Sequence, residues 1–181
     1  DIAYYTSWLY VPWVIKPLWS PLVELLGRKR LWIVTTQFLM GAVFASVALT
    51  IPGPAFLRAT LALFWLLAFS SATHDIAADG FYLLALPEYQ RAAFVGVRST
   101  FFRFAMIAGQ GGLVWLAGRW IKAGTAAAQA WCWVFAILAG FFGLAALYHH
   151  FVLPRPTSDV VAKRGRNVLG GSLAVFAAFF R

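Results

Sequence analysis

The chain has 181 residues, of which 62% are apolar, 18% aromatic and only 12% charged. A water-soluble domain carries about 25% charged residues, so this composition excludes a soluble globular domain and a disordered tail, and the lone Cys132 excludes an intrachain disulfide. The formal charge of +9 would suit nucleic acid, but so few charges among so many apolar residues point to a lipid bilayer as partner instead.

A helix needs about 20 apolar residues to cross a hydrocarbon core about 30 Å thick. Five stretches meet that length, at 3–26, 31–51, 56–86, 89–120 and 126–153. They are too long for barrel strands, and only a helix satisfies all its backbone groups within one segment. The first is interrupted by Pro12, Pro17 and Pro21; the second ends at Pro52-Gly53-Pro54, the third at Pro87 and the fifth at Pro154. The chain opens at Asp1 inside an apolar stretch with no readable signal peptide, and so reads as a fragment of a longer protein. Residues 154–167 are polar and basic and read as a loop. Residues 168–180 are apolar but number only 13, which suits an interfacial amphipathic helix or the truncated start of a further span. The expected fold is an all-α membrane protein, with five transmembrane helices in 1–153 and a basic cytoplasmic tail in 154–181.

Orientation follows from basic residues near helix ends. Nine fall on one side (Arg28, Lys29, Arg30, Arg91, Arg155, Lys163, Arg164, Arg166 and Arg181) and three on the other (Arg58, Arg119 and Lys122). That split places the 27–30 loop, the 87–91 loop and the tail in the cytoplasm.

An ionised side chain near the bilayer centre costs at least about 2.5–3.5 kcal/mol, so such residues are paired or functional. Lys16, Asp75 and Arg103 fall near the middles of the first, third and fourth spans, and Asp79 and Arg98 lie nearer the cytoplasm. Because the third and fourth spans run antiparallel around Pro87-Glu88, Asp79 and Arg98 reach one level and can pair. Ser71, Asp75, Asp79 and Tyr82 repeat at helical spacing and form a polar stripe. Arg103 and Gln110 share a face, and Lys16 shares one with Trp13, Trp19 and Ser20. With one cation in excess, a polar cavity here would favour an anionic ligand; the structural alternative is a set of ion pairs that fixes helix register. His74 suits either a proton relay or a packed, hydrogen-bonded histidine. His149 and His150 suit an interface rather than a metal site, and Gly109, Gly111 and Gly112 suit close helix packing. No phosphate loop, zinc helix or nucleophile elbow occurs, so no metal, cofactor or enzymatic activity is expected.

Two motifs resemble the major facilitator superfamily. Ser20-Pro-Leu-Val-Glu24-Leu-Leu-Gly27-Arg28-Lys29-Arg30 is similar to its loop signature of glycine, acid, glycine and basic cluster, with Ser20 for the first glycine and Glu24 for the usual aspartate. Pro17-Leu-Trp-Ser-Pro-Leu and Ser71-Ala-Thr-His-Asp-Ile-Ala-Ala-Asp-Gly80 resemble the muropeptide permease branch, with His74 where glutamine is usual; acetyl-coenzyme A transporters are similar over the same stretch. The resemblance runs from Trp13 to Leu153 and implies a partial major facilitator fold comprising the second to sixth helices. The first helix and the C-terminal half of the same protein would then be missing partners. It further implies an integral protein of the bacterial inner membrane that imports a small anionic or amphipathic solute, such as a muropeptide, with protons. The antiporter motif is absent around Gly109, which points to symport. In the implied roles, Asp75, Asp79 and His74 couple protons. Lys16, Trp13, Trp19, Arg98, Arg103 and Gln110 line the substrate cavity, and Glu24, Gly27, Arg28, Lys29, Arg30 and Glu88 form the gating loop, with Glu88 as partner of the basic cluster. Acyl-coenzyme A or a siderophore-like anion is the alternative solute. A polytopic membrane enzyme is the more distant alternative and would need a catalytic acid or histidine at a membrane face.

Overall fold

Prolines decide how the chain begins. The computed structural model describes residues 2–159, and within them the predicted first span is divided into α1 (Ile2–Trp8), α2 (Val11–Val14) and α3 (Lys16–Leu26). A proline has no N–H and its ring collides with the carbonyl four residues earlier. Pro12 therefore ends α1 at Trp8, and Pro17 forces the break at Ile15, whose φ and ψ of −92° and 9° lie outside the helical region. Pro21 is accommodated inside α3.

The other four predicted spans are helices long and apolar enough to cross a membrane. They are α4 (Lys29–Thr50), α5 (Phe56–Ala85), the continuous stretch Glu88–Lys122, and α8 (Ala127–Val152). The stretch Glu88–Lys122 consists of α6 (Glu88–Ile107), a π-helical turn over Ala108–Gly112, and α7 (Leu113–Lys122). Among the described residues there is no strand. The predicted helix over 168–180 and most of the basic tail lie outside the described residues.

Helix α4 is the centre of the packing and lies between α5 and α8. Its residues Ile33, Thr36, Gln37, Met40, Gly41, Val43 and Val47 are buried. A β-carbon at Gly41 would stand 3.2 Å from both Ala139 O and Gly143 N of α8, so any side chain here would press the two backbones a few tenths of an ångström apart. A second cluster joins α3, α4 and α5 through Val23, Ile33, Ala77 and Phe81, with Trp19 and Trp32 packed against it. Rings of α4, α5 and α8 meet where Phe44 stacks beside Phe135 and Phe142 and Phe64 lies beside Phe135.

Helix ends leave carbonyls without partners, and two arginines satisfy them here. Arg91 donates to Leu86 O at 3.1 Å and to Leu83 O at 2.6 Å, while Tyr82 Oη donates to Arg91 O, fastening the α5–α6 turn. Arg30 donates to His150 O and Leu153 O at the end of α8.

By contrast, α6 has no buried residue, and Phe101, Phe102, Phe104 and Ile107 are all more than 60% exposed. Among the described residues, the close packing expected of Gly109, Gly111 and Gly112 is not found. A β-carbon at any of them meets nothing within 4 Å. The tract instead forms the π turn, in keeping with its weak preference for regular α-helix.

Candidate functional site

The charges predicted within the spans converge where α3, α5 and α6 meet. Lys16 Nζ pairs with Asp75 Oδ2, Arg98 Nη2 lies 3.2 Å from Asp75 Oδ1, and Arg98 Nη1 pairs with Asp79 Oδ1. Asp75 is thus held between two cations, and the four groups balance in charge, two positive and two negative. The Lys16 and Asp75 side chains are 21% and 27% exposed, whereas Asp79 and Arg98 are about half exposed. The Lys16 ammonium also lies 3.8 Å from the centre of the Trp13 ring, a cation–π contact that holds it beside the carboxylate.

A second polar chain approaches this cluster from α8. His149 Nδ1 is 2.9 Å from Gln37 Oε1, and Gln37 Nε2 is 3.1 Å from His74 Nε2. His74 is the neighbour of Asp75 on α5. A primary amide has an acceptor at one end and a donor at the other. The histidine facing the amide nitrogen must offer a lone pair and must be neutral; the one facing the oxygen must carry a proton on the facing nitrogen. Turning the amide over exchanges the two roles. While the bridge holds, His74 and His149 cannot both be cations.

Several predicted cavity residues stand apart from the cluster. Arg103 is exposed and makes no ion pair among the described residues. Gln110 lies in the π turn, exposed, with its amide 3.7 Å from Met106 Sδ. Trp19 packs on Phe69 at 5.4 Å between ring centres and belongs to the α3–α5 core. Its buried indole N–H has no hydrogen-bond partner among the described residues.

The basic loop between α3 and α4 also differs from expectation. Glu88 makes no ion pair with the basic cluster among the described residues. Asp159 occupies that place, buried, with its carboxylate accepting from Lys29 N at 2.7 Å and Arg30 N at 3.0 Å. A carboxylate at the first amides of a helix satisfies orphan donors and suits the helix dipole. The Lys29 stem lies over Gly80 so closely that a β-carbon there would collide with it, which joins the start of α4 to the polar face of α5. Gly27 faces Trp32 at a separation that a side chain would close. Glu24 and Arg28 are exposed and unpaired among the described residues.

Sequence reasoning missed Gln37, His149 as a bonded partner, and Asp159. Gln37 had one visible signal, as the only amide side chain in the apolar run Lys29–Thr50.

This chain is similar to the anhydromuropeptide permease of Escherichia coli strain K12, 34% identical over 114 residues covering 60% of this chain and 23% of the permease. The protein of that name from Escherichia coli O157:H7 matches equally. An uncharacterized protein of Schizosaccharomyces pombe is 30% identical over 117 residues, 56% of this chain and 22% of that protein. The chain therefore spans less than a quarter of the length of these curated relatives. No protein-family model matches it, and no solved structure matches it. The four long apolar helices and the likeness to a permease support an integral membrane protein related to transporters.

Proposed function

We propose that this chain forms N-terminal helices of a secondary active transporter of the major facilitator superfamily. It takes an anionic or amphipathic solute, such as a muropeptide, across the membrane together with protons, with no enzymatic step. The observation that carries the reading is Asp75, set between Lys16 and Arg98 in a chain similar to a permease.

The arrangement suggests how coupling would work. With Asp75 ionised, Lys16 and Arg98 are engaged by it and have little attraction left for a solute. A proton on Asp75 removes that partner, freeing Lys16 and one edge of the Arg98 guanidinium to meet a carboxylate or phosphate of the solute, while Asp79 still holds the other edge. Proton and anion then favour each other's binding, which is the linkage a symporter needs. Asp79 plays the same part for the other edge of the Arg98 guanidinium, and His74, next to Asp75 along α5 and bonded to Gln37, is the proposed proton relay. Trp13, stacked on Lys16, offers a face for a sugar or other flat apolar group. Arg103 and Gln110, exposed on α6 and the π turn, would complete the cavity from the side where the C-terminal half closes on it. The gate would be the loop of Glu24, Gly27, Arg28, Lys29 and Arg30, with Asp159 as its acid and Glu88 at the neighbouring turn. In this reading that loop faces the cytoplasm, and the protein belongs to a bacterial inner membrane.

The test is uptake of labelled anhydro-muropeptide by the full-length protein in proteoliposomes, with and without an imposed proton gradient. Accumulation only with the gradient is the expected result. No uptake by folded protein under either condition would remove the muropeptide, and acyl-coenzyme A and siderophore-like anions would be tried next. Failure of all three would overturn the transporter reading.

A further inference from the structure

The outer seam between α4 and α8 carries two adjoining features, an apolar groove that the transport reading does not use and a basic cleft that shares Arg28, Arg30 and Asp159 with the proposed gate. Along the seam runs a groove of about 640 Å³, lined chiefly by Val34, Thr35 and Phe38 of α4 and Gly143, Leu147 and Phe151 of α8. Phe38, Leu147 and Phe151 are 68%, 57% and 74% exposed. The Thr35 hydroxyl is turned onto the carbonyls of its own helix, Leu31 O at 2.8 Å and Trp32 O at 3.2 Å, so it adds no free polar group. The groove wall is hydrocarbon, with the His150 side chain at one end.

At that end, where α4 starts and α8 finishes, lies a cleft of about 370 Å³ lined by Arg28, Arg30, Leu31, Arg155, Thr157 and Asp159. Leu31 is one helical turn before Val34 and Thr35, so cleft and groove follow one face of α4. The cleft holds three arginines and one aspartate, a net charge of +2 (three minus one). Two of its charged groups are already engaged. Arg30 binds the carbonyls that end α8, and the Asp159 oxygens accept the Lys29 and Arg30 amides. Arg28 and Arg155 make no ion pair among the described residues.

We infer that this seam binds an anionic phospholipid, with its phosphate on Arg28 and Arg155 and one acyl chain in the α4–α8 groove. A free anion would meet the arginines but leave the groove bare, and a zwitterionic lipid would fill the groove without answering the excess charge. An anionic lipid supplies both parts in the order the seam presents them. Both arginines lie just beyond the ends of their helices, at the level of headgroups when α4 and α8 cross the bilayer, where basic side chains attract acidic lipids. The site shares no residue with the ion cluster, and although Arg28, Arg30 and Asp159 also belong to the proposed gate, lipid retention is read without transport.

Native mass spectrometry of the full-length protein, released from detergent carrying added palmitoyl-oleoyl phosphatidylglycerol, phosphatidylcholine or inorganic phosphate, tests the assignment. One phosphatidylglycerol should be retained, in clear preference to phosphatidylcholine and phosphate. The double variant Arg28→Gln, Arg155→Gln should weaken retention about 30-fold, roughly fivefold for each arginine. Gly143→Leu should weaken it separately by filling the groove, since a β-carbon at Gly143 meets nothing within 4 Å and the change leaves the charge alone. Equal retention of the two lipids, or unchanged retention in the arginine variant, would overturn the site. Loss in the arginine variant with full retention in Gly143→Leu would reduce it to charge attraction without the groove. No lipid retained by folded wild-type protein would show the groove closed by another part of the protein, and would equally overturn it.

Discussion

Asp75 and Gln37 concentrate the chemistry in single side chains. Replacing Asp75 with asparagine keeps the shape but removes the charge between Lys16 and Arg98, leaving two cations facing each other. Uphill uptake should be abolished while membrane insertion, measured by the yield of folded protein, stays normal; gradient-driven uptake at the wild-type level would sink the assignment of Asp75. Gln37 is only 7% exposed and bonds a histidine on each side. Gln37→Leu strands two ring nitrogens and should cost about 1–3 kcal/mol in unfolding measurements. The same variant should uncouple the rings. In wild-type protein, nitrogen-15 spectra should show the tautomer of His149 changing as His74 takes up a proton, and in Gln37→Leu each ring should titrate without moving the other. Identical spectra for the two proteins would show that the amide transmits nothing.

At the scale of helices, stability rests on close approach and on end groups. Gly41→Leu would force α4 away from α8 and should cost about 1–3 kcal/mol, read as a lower midpoint of thermal unfolding in detergent. Asp159→Ala removes the carboxylate from the first amides of α4 and should cost about 1 kcal/mol, with hydrogen exchange of Lys29 and Arg30 quickened; unchanged exchange would deny it the capping role. These elements were unequally legible in the sequence. The four long helices were readable because length and apolar content alone define them. The break of the first stretch into α1, α2 and α3 needed more weight on Pro12 and Pro17, since hydropathy adds up across a proline while backbone hydrogen bonding does not. The Asp79–Arg98 pair was readable because charges are costly in a bilayer and the short Pro87 turn fixes their levels, whereas the pairing of Asp75 with Lys16 and Arg98 depends on how α3 packs and was not. Gln37 is neutral and gives no comparable signal. Asp159 lies 130 residues from the amide of Lys29, and nothing local marks it as a cap; the expectation for this loop was only that Glu88 would partner its basic side chains.

For the whole molecule, the contrast is between a packed side and a bare one. Helices α4, α5 and α8 bury their contacts against one another, while α6 shows its aromatic residues and Arg103 to the outside. In a transporter built from two halves, that bare side with the Lys16–Asp75–Arg98–Asp79 cluster would line the path, and the α4–α8 seam would face lipid. The most direct measurement is solute-driven proton movement by the full-length protein in proteoliposomes with an internal pH dye. Addition of anhydro-muropeptide outside should acidify the lumen with wild-type protein. With Asp75→Asn it should leave the lumen pH unchanged while solute exchange across the membrane persists. Solute entry without any lumen acidification in the wild type, or equal acidification in Asp75→Asn, would contradict proton coupling through this cluster.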